Sequence, residues 1–183
     1  MPRIIDHDAR RLQIFEGSIE LFSQHGFAGL GMRQLATSLD VSTGTLYHYF
    51  PNKIALFEGM LRHFATDDVA MAISVVGAID DVDRRLALIR SFIASQLDRI
   101  RQVLLVAIDY RRAMGEAGEP LVREVLTVYQ DAISDQLTNG DKLRAASVVS
   151  FIIGILVHTG LFHTDADVDA LLLPMDQLVK TPA

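Results

Sequence analysis

The chain has 183 residues, of which 50% are hydrophobic and 22% charged. This mix excludes a disordered or low-complexity chain and fits one ordinary domain, or a small module joined to a larger one. It has no cysteine, which excludes a disulfide scaffold, a thiolate-ligated zinc or iron–sulfur site and a cysteine nucleophile. The net charge of −6 is unevenly spread: residues 1–63 carry six Lys/Arg and six Asp/Glu, and residues 64–183 carry 11 and 17. A neutral head on an acidic body can meet a polyanion head first, since salt confines fields to about 10 Å.

Helical spacing dominates, and no sustained alternation marks a strand. The first helix is expected from Asp8 to His25, with Leu12, Phe15, Ile19 and Phe22 as its apolar stripe. Asp6 and Asp8 suit the positive end of its dipole, and His25 the negative end. Gly26 suits a left-handed cap, with Phe27 folding back on the last turn. A short helix follows from Met32 to Leu39, with Met32, Leu35, Ala36 and Leu39 inside and Arg33, Gln34 and Thr37 outside. Asp40-Val41-Ser42 makes a corner, in which Asp tolerates left-handed geometry and Ser42 caps the next helix. The third helix, Thr43 to Phe50, is stopped by Pro51, and Asn52 caps a fourth from Lys53 through Val75.

Later boundaries fall at Asp80-Asp81, Gly115–Pro120, Asn139-Gly140 and Asp165. They give helices near Val82–Arg101, Gln102–Met114, Leu121–Thr138, Lys142–His163 and Ala166–Val179, with Pro174 kinking or splitting the last. Ala145 to Thr164 lacks Lys, Arg, Asp and Glu. Serine, threonine and histidine interrupt it, and its unbroken apolar run, Phe151–Val157, is too short to span a bilayer. A buried helix lying against its own domain and a partner subunit is expected. Gly154 and Gly160 either let helices approach closely or serve simple core packing. Phe92, Met114, Phe151 and Phe162 are expected to fill the core.

Arg33 to Phe50 has the proportions of a helix-turn-helix. At 100° per residue, Leu46 and Phe50 share one side of the third helix. Gly44, Thr45 and His48 lie opposite, with Tyr47 and Tyr49 on the flanks and Thr43 at the tip. A small, polar tip with an aromatic-polar face beyond it suits entry into a major groove. Gly44 lets backbone approach DNA, threonine can meet base edges, and Tyr hydroxyls and Lys53 can meet phosphates. The alternative reading of the same spacing is a tight helical hairpin.

The segment LFSQHGFAGLGMRQLATSLDVSTGTLYHYFPNKIALF resembles the DNA-binding head of TetR-family transcriptional regulators. The matching elements are Leu21-Phe22, Gly26-Phe27, Arg33-Gln34-Leu35-Ala36, the run Val41 to Phe50, Lys53 and Leu56-Phe57, within roughly residues 8–62. Departures are Leu30-Gly31 where the family has Thr followed by Ser or Thr, Gly17-Ser18 as the small pair, and Asp40 at the corner glycine. The resemblance implies an all-α chain. A three-helix helix-turn-helix domain (1–52) would be joined by a linking helix (53–75) to a helical bundle that binds an effector and dimerises (76–183).

It also implies roles. Arg33 would reach a base edge or phosphate, Thr43, Gly44 and Thr45 would form the reading tip, Tyr47, His48 and Tyr49 would touch backbone or bases, and Lys53 would grip a phosphate. The third helix has no Arg or Lys, so backbone positioning and shape readout are expected to carry much of the specificity. Asp109, Tyr110, Tyr129, His158 and His163 are candidate effector-pocket groups, each also readable as a satisfied core or surface residue. A metal site from His158, His163 and Asp109 is disfavoured by the spacing of five between the histidines, and no metal or cofactor is expected.

The expected protein is a cytoplasmic, homodimeric regulator, a repressor released from a palindromic DNA operator by a small hydrophobic effector, with no membrane partner. The competing reading is a helical architectural or interaction factor that uses the same head without an effector. An enzyme is not expected, since no nucleophile–base pairing or phosphate-binding glycine loop is present. The N-terminal MPRIIDHDARR bears charges where an export signal needs an apolar core, so no export is expected.

Overall fold

The computed structural model describes residues 7–162 and 167–180. Asp6, His163, Thr164 and Asp165 lie outside the described residues, as does the side chain of Phe162. Every regular element among the described residues is helical: α1 (His7–Gly29), α2 (Met32–Ser38), α3 (Thr43–Tyr49), α4 (Lys53–Val76), α5 (Val82–Ser95), α6 (Leu97–Met114), a 3-10 turn (Gly115–Gly118), α7 (Glu119–Gln136), α8 (Lys142–Phe162), α9 (Val168–Leu172) and α10 (Met175–Lys180). They group into two packed units. The first takes residues 1–64 and 105–122, and the second takes 65–104 and 123–183.

The caps anticipated from sequence form. Ser42 Oγ accepts the Thr45 N–H at 2.9 Å, Asn52 Oδ1 the Ala55 N–H at 2.8 Å, and Asp81 Oδ1 the Arg84 N–H at 2.8 Å. Asp40 and Asn139 take φ of 51° and 52°, and Gly26 takes 72°. Pro174 splits the last helix into α9 and α10.

Two expectations are corrected. The α1 stripe is rotated, for Leu12 is 40% exposed while Ile14 and Ser18 are buried. Gly17 is the cause. Its bare backbone admits Leu39, whose Cδ2 a Cβ on Gly17 would strike, and this draws positions 14, 17 and 18 into the seam. The break expected at Arg101/Gln102 occurs at Gln96, which takes φ −106° and ψ 10° and donates its N–H to Phe92 and Ile93 carbonyls. Leu86, Ile89 and Ile93 are buried on one phase, and Val103, Val106, Ala107 and Tyr110 on another. One straight helix could not bury both sets.

The core of the first unit is aromatic. Phe57 meets Phe22 and Phe27 edge-on, each at 4.9 Å between centroids, and stacks on Tyr110 at 4.6 Å. Phe27 meets Tyr110 edge-on at 5.0 Å. The core of the second unit is aliphatic, with Val76, Leu86, Ile89, Ile93, Val148, Ile155, Leu172 and Met175 buried together and Phe92 and Phe151 against them. Arginine side chains tie its chain ends. Arg85 donates to the Ile79 and Gln136 carbonyls, Arg144 to the Val179 carbonyl at 3.0 Å, and Arg90 pairs with Asp176. Helix α8 is long and apolar enough to cross a membrane by length and composition, and 33% of that stretch is buried within the chain.

Tyr110 is fully buried and donates to Glu58 Oε1 at 3.0 Å. Burial, and then the carboxylate that accepts its hydrogen bond, push its phenol up to about 12 from a usual 10.0. Burial and Asp68 push Tyr129 up as well. A phenol whose folded pKa lies above its unfolded value holds more protons in the folded state. Its contribution is complete below pH 10.0 and is lost as pH rises towards about 12. Alkaline unfolding followed by circular dichroism should therefore begin near that lower value. Tyr110→Phe should flatten the slope and cost about 1 kcal/mol at neutral pH.

Candidate nucleic-acid interface

Gly31 precedes α2 with no side chain to cap it, and its own N–H is accepted by Gln34 Oε1 at 2.9 Å, the returning half of a capping box. Met32, Leu35 and Ala36 are buried while Arg33 is exposed. The corner closes through the Leu39 N–H on the Leu35 carbonyl (2.9 Å) and the Val41 N–H on the Ala36 carbonyl (3.0 Å), with Asp40 left-handed between them.

Leu46 and Phe50 anchor α3 at 0% and 3% exposure. Gly44, Tyr47 and His48 are exposed, and Thr43, Thr45 and Tyr49 are half-buried. The Thr45 and Ser42 hydroxyls share a hydrogen bond of 2.8 Å, which fixes the Thr45 side chain at the tip. Tyr49 is held from α1, where its hydroxyl lies 2.9 Å from His7 Nδ1. The Arg11 guanidinium donates to the Tyr49 carbonyl at 3.5 Å and lies over the Phe50 ring at 5.3 Å. His7 and Arg11 have no sequence signal for this role, because their partners lie some forty residues away.

Lys53 has a second task. Its ammonium donates to the carbonyls of Phe27 and Leu30, each at 2.7 Å, and lies 4.4 Å from the Phe27 ring centroid. Burial lowers its pKa from the usual 10.5. An ammonium has three N–H donors, so one remains for a phosphate.

The candidate pocket groups divide between the units. In the first, Asp109 Oδ2 accepts the Phe27 N–H at 2.6 Å, and Tyr110 lies in the aromatic core. In the second, Tyr129 donates to the buried Asp68 at 3.0 Å, beside Arg99, which donates to Asp67 at 2.8 Å and lies 3.2 Å from Asp68. His158 is exposed on α8. Among the described residues no three His, Asp or Glu side chains come together to hold a metal.

The family model for "Bacterial regulatory proteins, tetR family" matches residues 14–60, a span that contains α2, α3 and the start of α4. The "HTH-type transcriptional regulator BetI" of Burkholderia thailandensis is 29% identical over 98 residues, which cover 54% of this chain and 49% of that protein. The protein of the same name from Paraburkholderia phytofirmans is 33% identical over 67 residues, 37% of this chain and 34% of that one. The chain thus spans half the length or less of these curated relatives. The crystal structure of the transcriptional regulator FadR from Bacillus subtilis, in complex with stearoyl-CoA, shares the fold at TM-score 0.78 with 18% identity, over 94% of this chain and 99% of that one. With α3 presented on a buried Leu46–Phe50 anchor, residues 14–60 carry the pattern of the tetR family of bacterial regulatory proteins and are similar in sequence to the matching part of these regulators.

Proposed function

We propose that the protein is a cytoplasmic, ligand-responsive repressor that binds a near-palindromic DNA operator as a homodimer and is released by a small, largely hydrophobic effector. The observation that carries the DNA-binding part is the division of α3, with Leu46 and Phe50 buried and Gly44, Tyr47 and His48 exposed. Thr43, Gly44 and Thr45 enter the major groove, and Arg33 supplies the one candidate guanidinium for a base edge. Tyr47, His48, Tyr49 and the remaining donor of Lys53 engage phosphates. The relatives are named as regulators, which supports a non-enzymatic role.

The surface of α8 supports the dimer. Leu143 and Leu161 are 81% and 69% exposed, and Ser147, Ser150, Gly154 and His158 are exposed between them at intervals of three and four. They form one uncharged stripe, the kind of face that a second copy would cover. A Cβ on Gly160 would lie 2.9 Å from Arg101 Cδ, within the chain, whereas one on Gly154 would meet nothing within 4 Å. Gly154 is therefore the glycine available for close approach by another subunit.

The effector reading rests on the second unit. Its core is aliphatic, and among its polar anchors the half-buried Tyr129 donates to the buried Asp68. FadR of Bacillus subtilis carries stearoyl-CoA in the same fold, which supports an apolar ligand without naming one. An effector acts only by binding the DNA-incompetent arrangement better, and a full switch needs about a ten-thousand-fold preference.

Mobility shifts on the DNA upstream of the protein's own gene test the reading. Arg33→Ala and Thr45→Ala should alter preference among sites by about 1–3 kcal/mol each, and Lys53→Ala should weaken binding to all sequences alike. Gly154→Arg should convert a dimer to a monomer in light scattering while the monomer keeps its fold by circular dichroism. Fatty and aromatic compounds should raise the melting temperature and release DNA, where sugars, nucleotides and inorganic phosphate should not. A protein that spreads over DNA indiscriminately and responds to no compound would instead be an architectural factor.

A further inference from the structure

We propose that His7 is a positioning residue for DNA backbone binding, and that its protonation turns the Tyr49 hydroxyl from a partner of the protein into a donor for a phosphate. The proposal deepens the DNA-binding reading and rests on it. His7 opens α1 and Tyr49 closes α3, and His7 Nδ1 and Tyr49 Oη lie 2.9 Å apart. The rings of His7 and Tyr49 are 5.7 Å apart, His7 and His48 are 6.1 Å apart, and His48 meets Tyr49 edge-on at 5.4 Å. Three ring side chains thus form one cluster at the end of α3, with His48 exposed beside Tyr49.

The Nδ1–Oη bond has two forms. When Nδ1 carries no proton it accepts, and the only hydrogen of the Tyr49 hydroxyl is spent on His7. One neutral tautomer already carries its proton on Nδ1 and donates, and in the imidazolium, where both ring nitrogens carry protons, donation from Nδ1 to Tyr49 Oη is the one form left. The phenolic hydrogen is then free to point outward. No bond to a heavy atom changes. One proton is taken from water by the imidazole, and the tyrosine hydrogen rotates to a new acceptor. A phosphate oxygen accepts that hydrogen, and the cation behind it strengthens the bond. The groups around His7 are Asp8, Arg10 and Arg11 on α1, with Asp6 preceding in sequence, and His48 and Tyr49 on α3. Arg11 is itself committed to the Tyr49 carbonyl and the Phe50 ring. The same cluster therefore fixes both the main chain and the hydroxyl of Tyr49.

The test measures binding of the full chain to a mixed-sequence DNA duplex at low salt, from about pH 8 to about pH 6. The unsubstituted chain should gain about three- to tenfold in affinity on acidification. His7→Leu, which leaves the Tyr49 hydroxyl unheld, should lose that gain and bind below the acid-level affinity of the unsubstituted chain. His7→Asn keeps an amide N–H near the place of Nδ1. It should show a flat profile with an affinity between the neutral and acid levels of the unsubstituted chain, a rescue that a merely structural role for the imidazole would not give. Tyr49→Phe should lose the same gain, and the double substitution His7→Leu/Tyr49→Phe should cost no more than either alone. A gain that survives undiminished in Tyr49→Phe would mean that a histidine charge, that of His7 or of the neighbouring His48, acts directly on DNA and would overturn the relay. An unchanged profile in His7→Leu would overturn the role of His7. Binding by none of these proteins at any pH would instead overturn the DNA-binding reading itself, and the inference with it.

Discussion

The reading head depends on one residue, Phe27, and on the positive φ of Gly26 that delivers it. Gly26 takes φ 72° and ψ 162° inside α1, so the chain leaves the helix path and drives the Phe27 ring into the aromatic core between Phe22, Phe57 and Tyr110. Such a turn leaves backbone groups without helical partners, and here charged side chains of opposite sign supply them. Asp109 accepts the Phe27 N–H, and Lys53 donates to the Phe27 carbonyl while its ammonium lies over the ring. α1, α4 and α6 thereby meet at a single residue, Phe27. α2 begins five residues later at Met32, and Lys53 also holds the carbonyl of Leu30 just before it. A non-glycine residue at position 26 would be strained there, and its Cβ would lie 3.1 Å from Asp109 Oδ2.

This fastening explains why the head was readable from sequence and the body less so. In residues 26–57 each local signal has one physical use. Gly26 supplies a positive φ, Asp40 a left-handed corner, Ser42 and Asn52 caps, and Leu46 and Phe50 a buried side. Local propensity and global packing agree, so spacing along the chain is enough. The same reading missed His7 and Arg11, whose partners on α3 are 42 and 38 residues away. It also gave Lys53 a phosphate alone, because nothing in sequence joins position 53 to the carbonyls of 27 and 30.

The body failed where phase, not composition, decides. Val82 to Met114 has no Gly or Pro to fix where its break falls, and the boundary expected at Arg101/Gln102 lies instead at Gln96. The break at Gln96 follows only from the change of buried phase between Ile93 and Val103, which becomes visible once both faces have partners. The α1 stripe was misplaced for a related reason. Leu12 fits the period, but the bare backbone at Gly17 turns the helix towards Leu39. Polar residues of the second unit were legible as polar and not as neighbours, so Tyr129 was named but its partners Asp68 and Arg99 were not.

Charge distribution joins the two units in one functional argument. The net charge of −6 lies beyond residue 63, and many cations there are committed inside the second unit. Arg85 and Arg144 hold backbone carbonyls, Arg90 and Lys180 pair with Asp176 and Asp83, and Arg99 serves Asp67 and Asp68. These cations brace their own fold and offer little to a polyanion. In the head, Arg33 stands exposed on α2, and α3 itself carries neither Arg nor Lys. In the proposed function, hydroxyls, histidines and helix backbone would therefore supply most contacts to DNA, and such contacts depend on geometry more than on net charge. A head that binds through geometry needs its recognition helix held at both ends. Ser42 and Thr45 do this at the tip, and His7 and Arg11 do it at Tyr49.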